Sequence, residues 1–239
     1  MEENFKNVAD RILYEDNHVI IVNKLPSEIV QGDKTGDEPL SELVMRFVKW
    51  KYNKPGNVYI GVVHRLDRPV GGAVIFSKTS KALPRFNKMI QDKSITKKYW
   101  AIVKNAPPKD SDNLVHFLIR YPEKNKSVAY NSERRNSKKA ELNYKVIAKS
   151  KDYYLLEIEL LTGRHHQIRA QLAAIGCPIK GDLKYGFSRS NKGGSISLHA
   201  RSLGFSHPVS SKDIYVEAPV PNQDPLWDYF SSVLKEEKA

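Results

Sequence analysis

The sequence has little of what secreted, membrane and metal-binding proteins depend on. It contains one cysteine, Cys177, among 239 residues, which excludes a disulfide framework and a multi-cysteine zinc site. Its longest purely aliphatic runs, such as Val19 to Val22, fall far short of the roughly 18 residues that a membrane span needs. The first residues, MEENFKNVADR, are polar and lack the apolar stretch of a signal peptide. We therefore expect a cytoplasmic protein with no membrane association.

Common nucleotide-binding and hydrolytic motifs are also missing. Neither GxGxxG nor GxxxxGK(S/T) occurs, and the same holds for HExxH and GxSxG. The pair His165-His166 suggests a metal, but adjacent residues of a helix do not share a face, and no carboxylate lies near in sequence. The sequence therefore predicts no metal site and contains neither nucleotide-binding fingerprint.

Positive charge, by contrast, is in large excess. The chain has 39 Lys and Arg against 27 Asp and Glu, a formal net charge of +12, which favours a polyanionic partner. One cluster of positive charge, from Lys93 to Lys98, lies beside Tyr99 and Trp100. This combination is suited to contacts with a nucleic-acid backbone and to base stacking. Segment 120–139 has seven Lys or Arg and two Glu and predicts an exposed loop or hairpin. A solvated loop explains this segment equally well; as nucleic-acid contacts its candidates are Arg134, Arg135 and Lys138.

Hydrophobic periodicity predicts a mixture of helices and strands. A hairpin is predicted at 12–22, and apolar positions from Leu40 to Val48 recur at helical spacing. Further helices are predicted at 80–91, 166–175 and 225–234, and strands at 72–76, 99–104, 114–120, 141–148, 153–161, 196–199, 203–206 and 214–217. Consecutive strands without regular helical crossovers favour an α+β fold with a mixed, mostly antiparallel sheet and flanking helices. We expect one domain over residues 1–239.

Three short segments concentrate polar residues where the surrounding pattern is apolar. They are HRLD at 64–67, which follows the strand-like Val58 to Val63, KKY at 97–99, and TGRHHQIR at 162–169. Arg65 and Asp67 are two residues apart and would share a face of an extended segment. A structural salt bridge explains many such pairs, so the residues alone leave a catalytic and a structural Asp67 both open.

These segments resemble the motifs of the RluA-type pseudouridine synthases. HRLDRPVGG at 64–72 is similar to that family's nucleophile motif, and ITKKYWAIV at 95–103 to its tyrosine motif. LLTGRHHQIRAQLAAIGCPIKGDLKYG at 160–186 resembles the third block, and ISLHARSLGFSHP at 196–208 the late strand pair. The resemblance covers roughly residues 12–218.

The resemblance implies a fold with a central cleft and an enzyme that isomerises a uridine in RNA to pseudouridine without cofactor or metal. Asp67 would be the nucleophile, attacking either the sugar or the base. Tyr99 would stack on the target base and is a candidate to take the sugar proton, and Arg169 would pair with Asp67. Arg65 would fill the gap left by the flipped base, because the glycosidic bond is reached only outside the stack. Arg164 and His166 of the third block are further RNA-binding candidates.

The sequence departs from the family in places. Val70-Gly71-Gly72 stands where Thr-Ser-Gly is usual, so two hydroxyls are missing and the loop holding Asp67 gains flexibility. Only about eleven residues precede the hairpin, so we expect no S4-type RNA-binding module.

Two alternatives to an RNA pseudouridine synthase remain. One is a non-catalytic RNA-binding protein that keeps the fold, and the other is an RNA hydrolase using Asp67 and a histidine. The partner is expected to be ribosomal or transfer RNA, and the chain is expected to act as a monomer without an obligatory protein partner.

Overall fold

The computed structural model describes residues 5–221 and 224–236, and their contacts divide into two units. The first unit comprises the described residues up to Thr96 together with Ala200–Pro219. The second comprises Lys97–His199 and the described residues from Val220 onward.

The first unit combines antiparallel strands with two amphipathic helices. Its strand order is β1-β2-β4-β10, with β3 paired to β4 and β11 paired to β10. Its core packs Ile21 and Ile75 of neighbouring strands against Phe86, whose ring meets that of Phe205 at 5.5 Å. Its elements are a 3₁₀ helix Lys6–Arg11, β1 Ile12–Glu15, β2 Val19–Lys24, α1 Leu40–Lys51, β3 Gly61–Val62, β4 Gly71–Ser77, α2 Ala82–Gln91, most of β10 Leu198–Ser206, and β11 Asp213–Glu217.

The second unit is built on five strands in the order β5-β9-β8-β6-β7. Neighbouring strands in this order run antiparallel. Ile102 and Leu155 pack against Trp227 and Phe230 of α4, whereas Ala170 of α3 packs in a separate apolar cluster. The elements are β5 Thr96–Val103, β6 Ser111–Tyr121, β7 Lys126–Tyr130, β8 Lys138–Lys149, β9 Tyr154–Leu160, α3 Gln167–Ala174 and α4 Pro225–Glu236, with 3₁₀ helices at Pro122–Lys124, Leu183–Tyr185 and Lys192–Gly194.

The predicted first hairpin is confirmed, and a single side chain explains its turn. Asp16 Oδ1 accepts hydrogen bonds from the backbone N–H groups of His18 and Val19, at 2.7 and 2.8 Å. Aspartate favours turns because its carboxylate satisfies nearby backbone donors in this way. The turn therefore fixes the register in which β1 and β2 pair.

The predicted α+β class with a mostly antiparallel sheet is confirmed, whereas two local predictions are wrong and the structure decides between the two alternatives for segment 120–139. Residues 196–199 and 203–206 are not two strands, because β10 runs unbroken from Leu198 to Ser206 and pairs with β11 over Ser202 to Ser206. The predicted strand at 58–63 shrinks to Gly61–Val62. Segment 120–139 contains β7, so the hairpin alternative is right and a plain loop is wrong.

Two further expectations concern membranes and domains. Within residues 5–221 and 224–236, no helix is both long and apolar enough to cross a bilayer. One catalytic domain over 1–239 stays a prediction, since that range includes residues outside those described.

Candidate active site

Asp67 lies in the first unit, half-buried, at the start of a tight turn. The N–H of Val70 donates to the carbonyl of Asp67 at 3.0 Å and closes this turn. Ahead of it, His64 Nε2 accepts a hydrogen bond from the N–H of Ile75 in β4 at 3.2 Å. Arg65, between these two points, is exposed. The segment that carries Asp67 is therefore fixed to β4 before the carboxylate and folded back on itself after it.

Lys24 holds the same segment through hydrogen bonds to backbone carbonyls. Its side chain is 1% exposed, and Nζ donates to the carbonyls of Leu25, Arg68 and Val70 at 2.9, 3.2 and 2.7 Å. Burial lowers the pKa of Lys24 to about 7, while the carboxylates of Glu28 and Asp67 raise it and the guanidinium groups of Arg68 and Arg11 lower it further. Carbonyl oxygens are the acceptors that a buried ammonium needs. Sequence analysis missed Lys24, whose one signal is that a lysine closes the apolar run of β2.

The residue after Asp67 is also held in place. Arg68 Nη2 donates to Asp37 Oδ2 at 2.5 Å and to Thr35 Oγ1 at 2.8 Å. The Arg68 carbonyl accepts a second hydrogen bond, from the N–H of Ser27, at 2.8 Å. Arg68 therefore joins the turn to the loop between β2 and α1, through its side chain and its backbone.

Gly72, at the end of the HRLDRPVGG motif, meets a steric requirement. Its φ is +116°, and a Cβ at this position would overlap the backbone of Ala200 in β10. Only glycine adopts this conformation readily and permits so close an approach. The expectation that the Val-Gly-Gly sequence loosens this loop is not supported here, because Lys24 and Val70 fix the loop and β4 begins at Gly71.

Tyr99 lies on β5 in the second unit, opposite Ile158 of β9, and is 7% exposed. Its neighbour Trp100 packs with the apolar cluster around Ile102 and α4, of which Tyr99 is not a member. Successive strand residues point to opposite faces. This alternation places Trp100 in the core beside α4, and the orientation of Tyr99 toward a cleft stays a prediction.

Arg169 lies on α3 and is held by a carboxylate that sequence analysis did not name. Arg169 Nε donates to Asp182 Oδ2 at 2.6 Å, and Nη2 donates to Asp182 Oδ1 at 2.8 Å. Both residues are buried, at 5% and 1% exposure, and the guanidinium stands over the Tyr185 ring at 5.1 Å. A bidentate pair fixes both the position and the plane of the guanidinium. Pairing of Arg169 with Asp67 stays a prediction.

The two histidines of the third block differ from the expectation that adjacent residues point apart. His166 has a left-handed backbone, φ +53°, which brings its ring into a stack on His165 at 3.8 Å between centroids. His166 Nδ1 lies 3.1 Å from Tyr185 Oη, in a buried contact. Burial, with the Arg169 guanidinium, lowers the pKa of His166 to about 2, so its ring is neutral.

Both histidines contact polar side chains of the second unit. Among residues 5–221 and 224–236, no group of His, Cys, Asp and Glu is arranged to hold a metal ion. His165 instead contacts Ser127 Oγ through Nδ1 at 2.9 Å and Asn125 Oδ1 through Nε2 at 3.1 Å. The pair therefore packs the third block against β7.

The basic residues predicted to bind nucleic acid lie at the β7–β8 turn and beside it. Arg134 and Arg135 are in the turn, and Lys138 begins β8; all three are exposed. The Arg134 guanidinium stacks on Tyr130 at 4.0 Å. Arg164 Nε donates to the Lys139 carbonyl at 3.0 Å, which places the third block next to the first residues of β8. His166 is buried, and a contact between its ring and RNA stays a prediction.

Comparison with known proteins agrees with this set of motifs. The family described as RNA pseudouridylate synthase matches residues 18–174. An uncharacterised RNA pseudouridine synthase of Bacillus subtilis is 32% identical over 88% of this chain and 69% of its own length. A ribosomal large subunit pseudouridine synthase D of Zymomonas mobilis is 32% identical, with 90% and 71% covered. A ribosomal large subunit pseudouridine synthase C of Buchnera aphidicola is 31% identical, with 90% and 68% covered.

Two solved human structures show the same fold. Human RNA pseudouridylate synthase domain containing 4 superposes with a TM-score of 0.76 at 21% identity, covering 91% of each chain. Human RNA pseudouridylate synthase domain containing 1 gives a TM-score of 0.73 at 22% identity, covering 94% of each chain. With the family match over residues 18–174 and relatives above 30% identity, the chain belongs to the RNA pseudouridylate synthase family, whose members are isomerases acting on RNA.

Proposed function

We propose that this protein converts a specific uridine of large-subunit ribosomal RNA to pseudouridine, as a cytoplasmic monomer. The names of several relatives support ribosomal RNA as the substrate, because they are described as ribosomal large subunit pseudouridine synthases C and D. The net charge of +12 is suited to a large polyanion. Transfer RNA is the competing substrate, and the experiment below includes it.

Asp67 is the proposed nucleophile, and the anchoring of its segment is the observation that carries the proposal. His64, Lys24 and Arg68 hold the backbone on both sides of a half-buried carboxylate. Such fixation is what a nucleophile requires, since holding the reacting groups in place lowers the entropic cost of the reaction. A carboxylate that served only a surface salt bridge would not need its backbone fixed from three directions.

In the proposed reaction the uracil is detached from the sugar at its N1 atom and reattached through its C5 atom. The bond from N1 to C1′ breaks, the base turns while bound, and a bond from C5 to C1′ forms. The proton on C5 is lost and N1 gains a proton, so atoms and charge balance without a cofactor. The Asp67 carboxylate attacks either C1′ of the sugar or the base, and the carboxylate is released when the new bond forms.

Tyr99 and Arg169 are proposed to complete the site together with Asp67. The ring of Tyr99 would stack on the flipped uracil, and its hydroxyl would take part in proton transfer during the reaction. Arg169, oriented by Asp182, is proposed to pair with Asp67 and keep that carboxylate ionised.

RNA contacts are proposed along the basic edge of the second unit. Arg134, Arg135 and Lys138 are exposed and would bind phosphates, joined by Arg164 beside Lys139. His166 would contribute as a neutral ring rather than as a cation. Arg65 would enter the space from which the base has been flipped.

The test is pseudouridine formation on defined RNA. Unmodified transcripts of large-subunit ribosomal RNA and a pool of unmodified transfer RNA transcripts are incubated separately with the pure protein. Pseudouridine is then mapped at single-nucleotide resolution. We expect one or a few modified positions in the ribosomal transcript. Modification confined to transfer RNA would overturn the substrate, and no pseudouridine in either RNA would overturn the activity and leave a non-catalytic RNA-binding protein.

A further inference from the structure

The second unit contains a basic cavity that the three motifs do not include. Its volume is about 580 Å³, and its lining includes four cations and two aromatic rings: Lys104, Lys180, Arg189, Lys192, Tyr153 and Phe187. Sequence analysis did not single out this set, because its members come from three separate stretches of the chain.

The cavity lies where β5 ends and β9 begins. Val103, the last residue of β5, pairs with Tyr154, the first of β9, and lies beside Ile179 through an isolated bridge. Lys104 and Tyr153 flank this pair, and the Lys180 N–H donates to the Ile102 carbonyl at 2.9 Å. The strand ends beside the cavity are therefore held by regular backbone hydrogen bonds.

Charge in the cavity is strongly positive. Lys180 is partly compensated, since Nζ donates to Asn191 Oδ1 at 2.7 Å and lies 3.7 Å from Asp224 Oδ2. Lys104, Arg189 and Lys192 form no ion pair within the described part of the chain. Segment 186–195, which supplies most of the lining, contains no acidic residue. Such a cavity favours an anion, and its aromatic rings favour an anion that carries a planar group.

The cavity is also tied to the proposed active site through the chain. Lys180 precedes Asp182 by two residues, a span of at most about 7 Å in extended backbone. The Phe187 N–H donates to the Asp182 carbonyl at 3.0 Å, and the Asp182 carboxylate holds Arg169. A ligand in the cavity would therefore lie within a few nucleotides of a base placed at Arg169.

We propose that this cavity binds a nucleotide of the substrate RNA that flanks the target uridine, with the cations on its phosphate and an aromatic ring stacked on its base. The inference rests on the proposed function, because it takes RNA as the substrate and Arg169 as part of the site. It makes the cavity a determinant of which sequence around the uridine is accepted.

The first test measures how RNA affinity depends on salt. The probe is an unmodified transcript of large-subunit ribosomal RNA, and the variant is Arg189→Gln/Lys192→Gln. Each lost phosphate contact lowers the slope of log affinity against log salt by roughly 0.7 to 0.9, so we expect a decrease of about 1.4 to 1.8. The matched control, Lys81→Gln/Lys212→Gln, removes two exposed positive charges from the first unit and should leave the slope unchanged. Equal slopes in the two double variants would overturn the proposal.

A second variant tests the stacked base. Phe187→Leu keeps an apolar side chain and the backbone hydrogen bond but removes the ring, and we expect RNA affinity to fall at least about fivefold. Its melting temperature, compared with that of the parent, detects loss of folding. A folded Phe187→Leu protein with parental affinity would contradict stacking at this ring, and with it this form of the proposal.

Two further measurements distinguish failure of the cavity proposal from failure of the proposed function. If uridine monophosphate binds the parent, loses affinity in Arg189→Gln/Lys192→Gln, and the RNA slope does not change, the cavity is a free-nucleotide site and the proposal is wrong. Pseudouridine is counted in the same RNA samples. Its formation by the parent with an unchanged slope would reject the cavity alone. Its absence would reject the proposed function, while the slopes would still decide whether the cavity binds RNA.

Discussion

The buried pair of Arg169 and Asp182 gives a prediction that can be worked through from its geometry. The two side chains are 5% and 1% exposed and are joined by two hydrogen bonds of 2.6 and 2.8 Å. Asp182→Ala would remove the carboxylate that accepts two hydrogen bonds from the buried guanidinium, and breaking a buried ion pair in this way typically costs about 3–5 kcal/mol of stability. Since small domains are stable by only about 5–15 kcal/mol, this loss should be plain in urea unfolding curves.

A double variant distinguishes an uncompensated charge from lost packing. Arg169→Met/Asp182→Leu replaces the pair with apolar side chains, and such replacements are often close to neutral. We therefore expect the double variant to be more stable than Asp182→Ala, although both remove the pair. A loss below about 1 kcal/mol in Asp182→Ala, or a double variant less stable than the single one, would refute the reasoning.

A more conservative substitution of Asp182 tests how this residue affects the reaction. Asp182→Asn keeps the shape of the side chain but not its charge, so Arg169 should be oriented less well. We expect slower single-turnover conversion with RNA affinity within a few-fold of the parent, measured at a temperature where the variant is folded. Parental turnover in a folded Asp182→Asn protein would show that Asp182 does not position Arg169 for the reaction.

Three further predictions concern other groups. Tyr99→Phe keeps the ring but loses the hydroxyl, so single-turnover kinetics should show at least about a hundredfold loss with affinity within a few-fold; an unchanged rate would leave Tyr99 as a stacking residue. Replacing Arg134, Arg135 and Lys138 together by Gln should lower the salt slope of RNA affinity by about 2.1 to 2.7, and an unchanged slope would make the β7–β8 turn a solvated surface. Burial lowers the pKa of Lys24 in the folded protein to about 7. At a pH between this value and the ordinary pKa of lysine, the side chain is protonated in the unfolded chain but not in the folded one. The unfolding free energy of the parent, relative to Lys24→Met, should therefore rise with pH above about 7 in urea titrations; parallel pH profiles would contradict this.

Features set by local sequence were predictable. The first hairpin follows from Asp16, which satisfies backbone donors two and three residues ahead of it. Helix α1 follows from apolar residues at helical spacing, and they are the residues that the structure buries. The separation of Tyr99 from Trp100 follows from the alternation of side chains along a strand.

The missed features depend on long-range contacts. Lys24 donates to carbonyls 44 and 46 residues further along the chain, and no local pattern shows that these groups meet. Asp182 was quoted within the third block, yet its pairing with Arg169 depends on how the chain turns after α3. The stacking of His166 on His165 depends on a left-handed backbone conformation at His166. This conformation is uncommon for residues other than glycine and is therefore hard to predict from sequence. The candidate residues could therefore be named in advance, but not the groups that hold them.

The role of Asp67 is tested most directly by tritium release from RNA labelled at C5 of uridine. Loss of the C5 proton accompanies formation of the new carbon bond, so release reports the isomerisation itself. Asp67→Asn is close in shape but lacks a nucleophilic carboxylate, and RNA affinity and melting temperature serve as its controls. We predict release by the parent protein and none by the folded, RNA-binding Asp67→Asn variant. Measurable release by that variant would contradict Asp67 as the nucleophile.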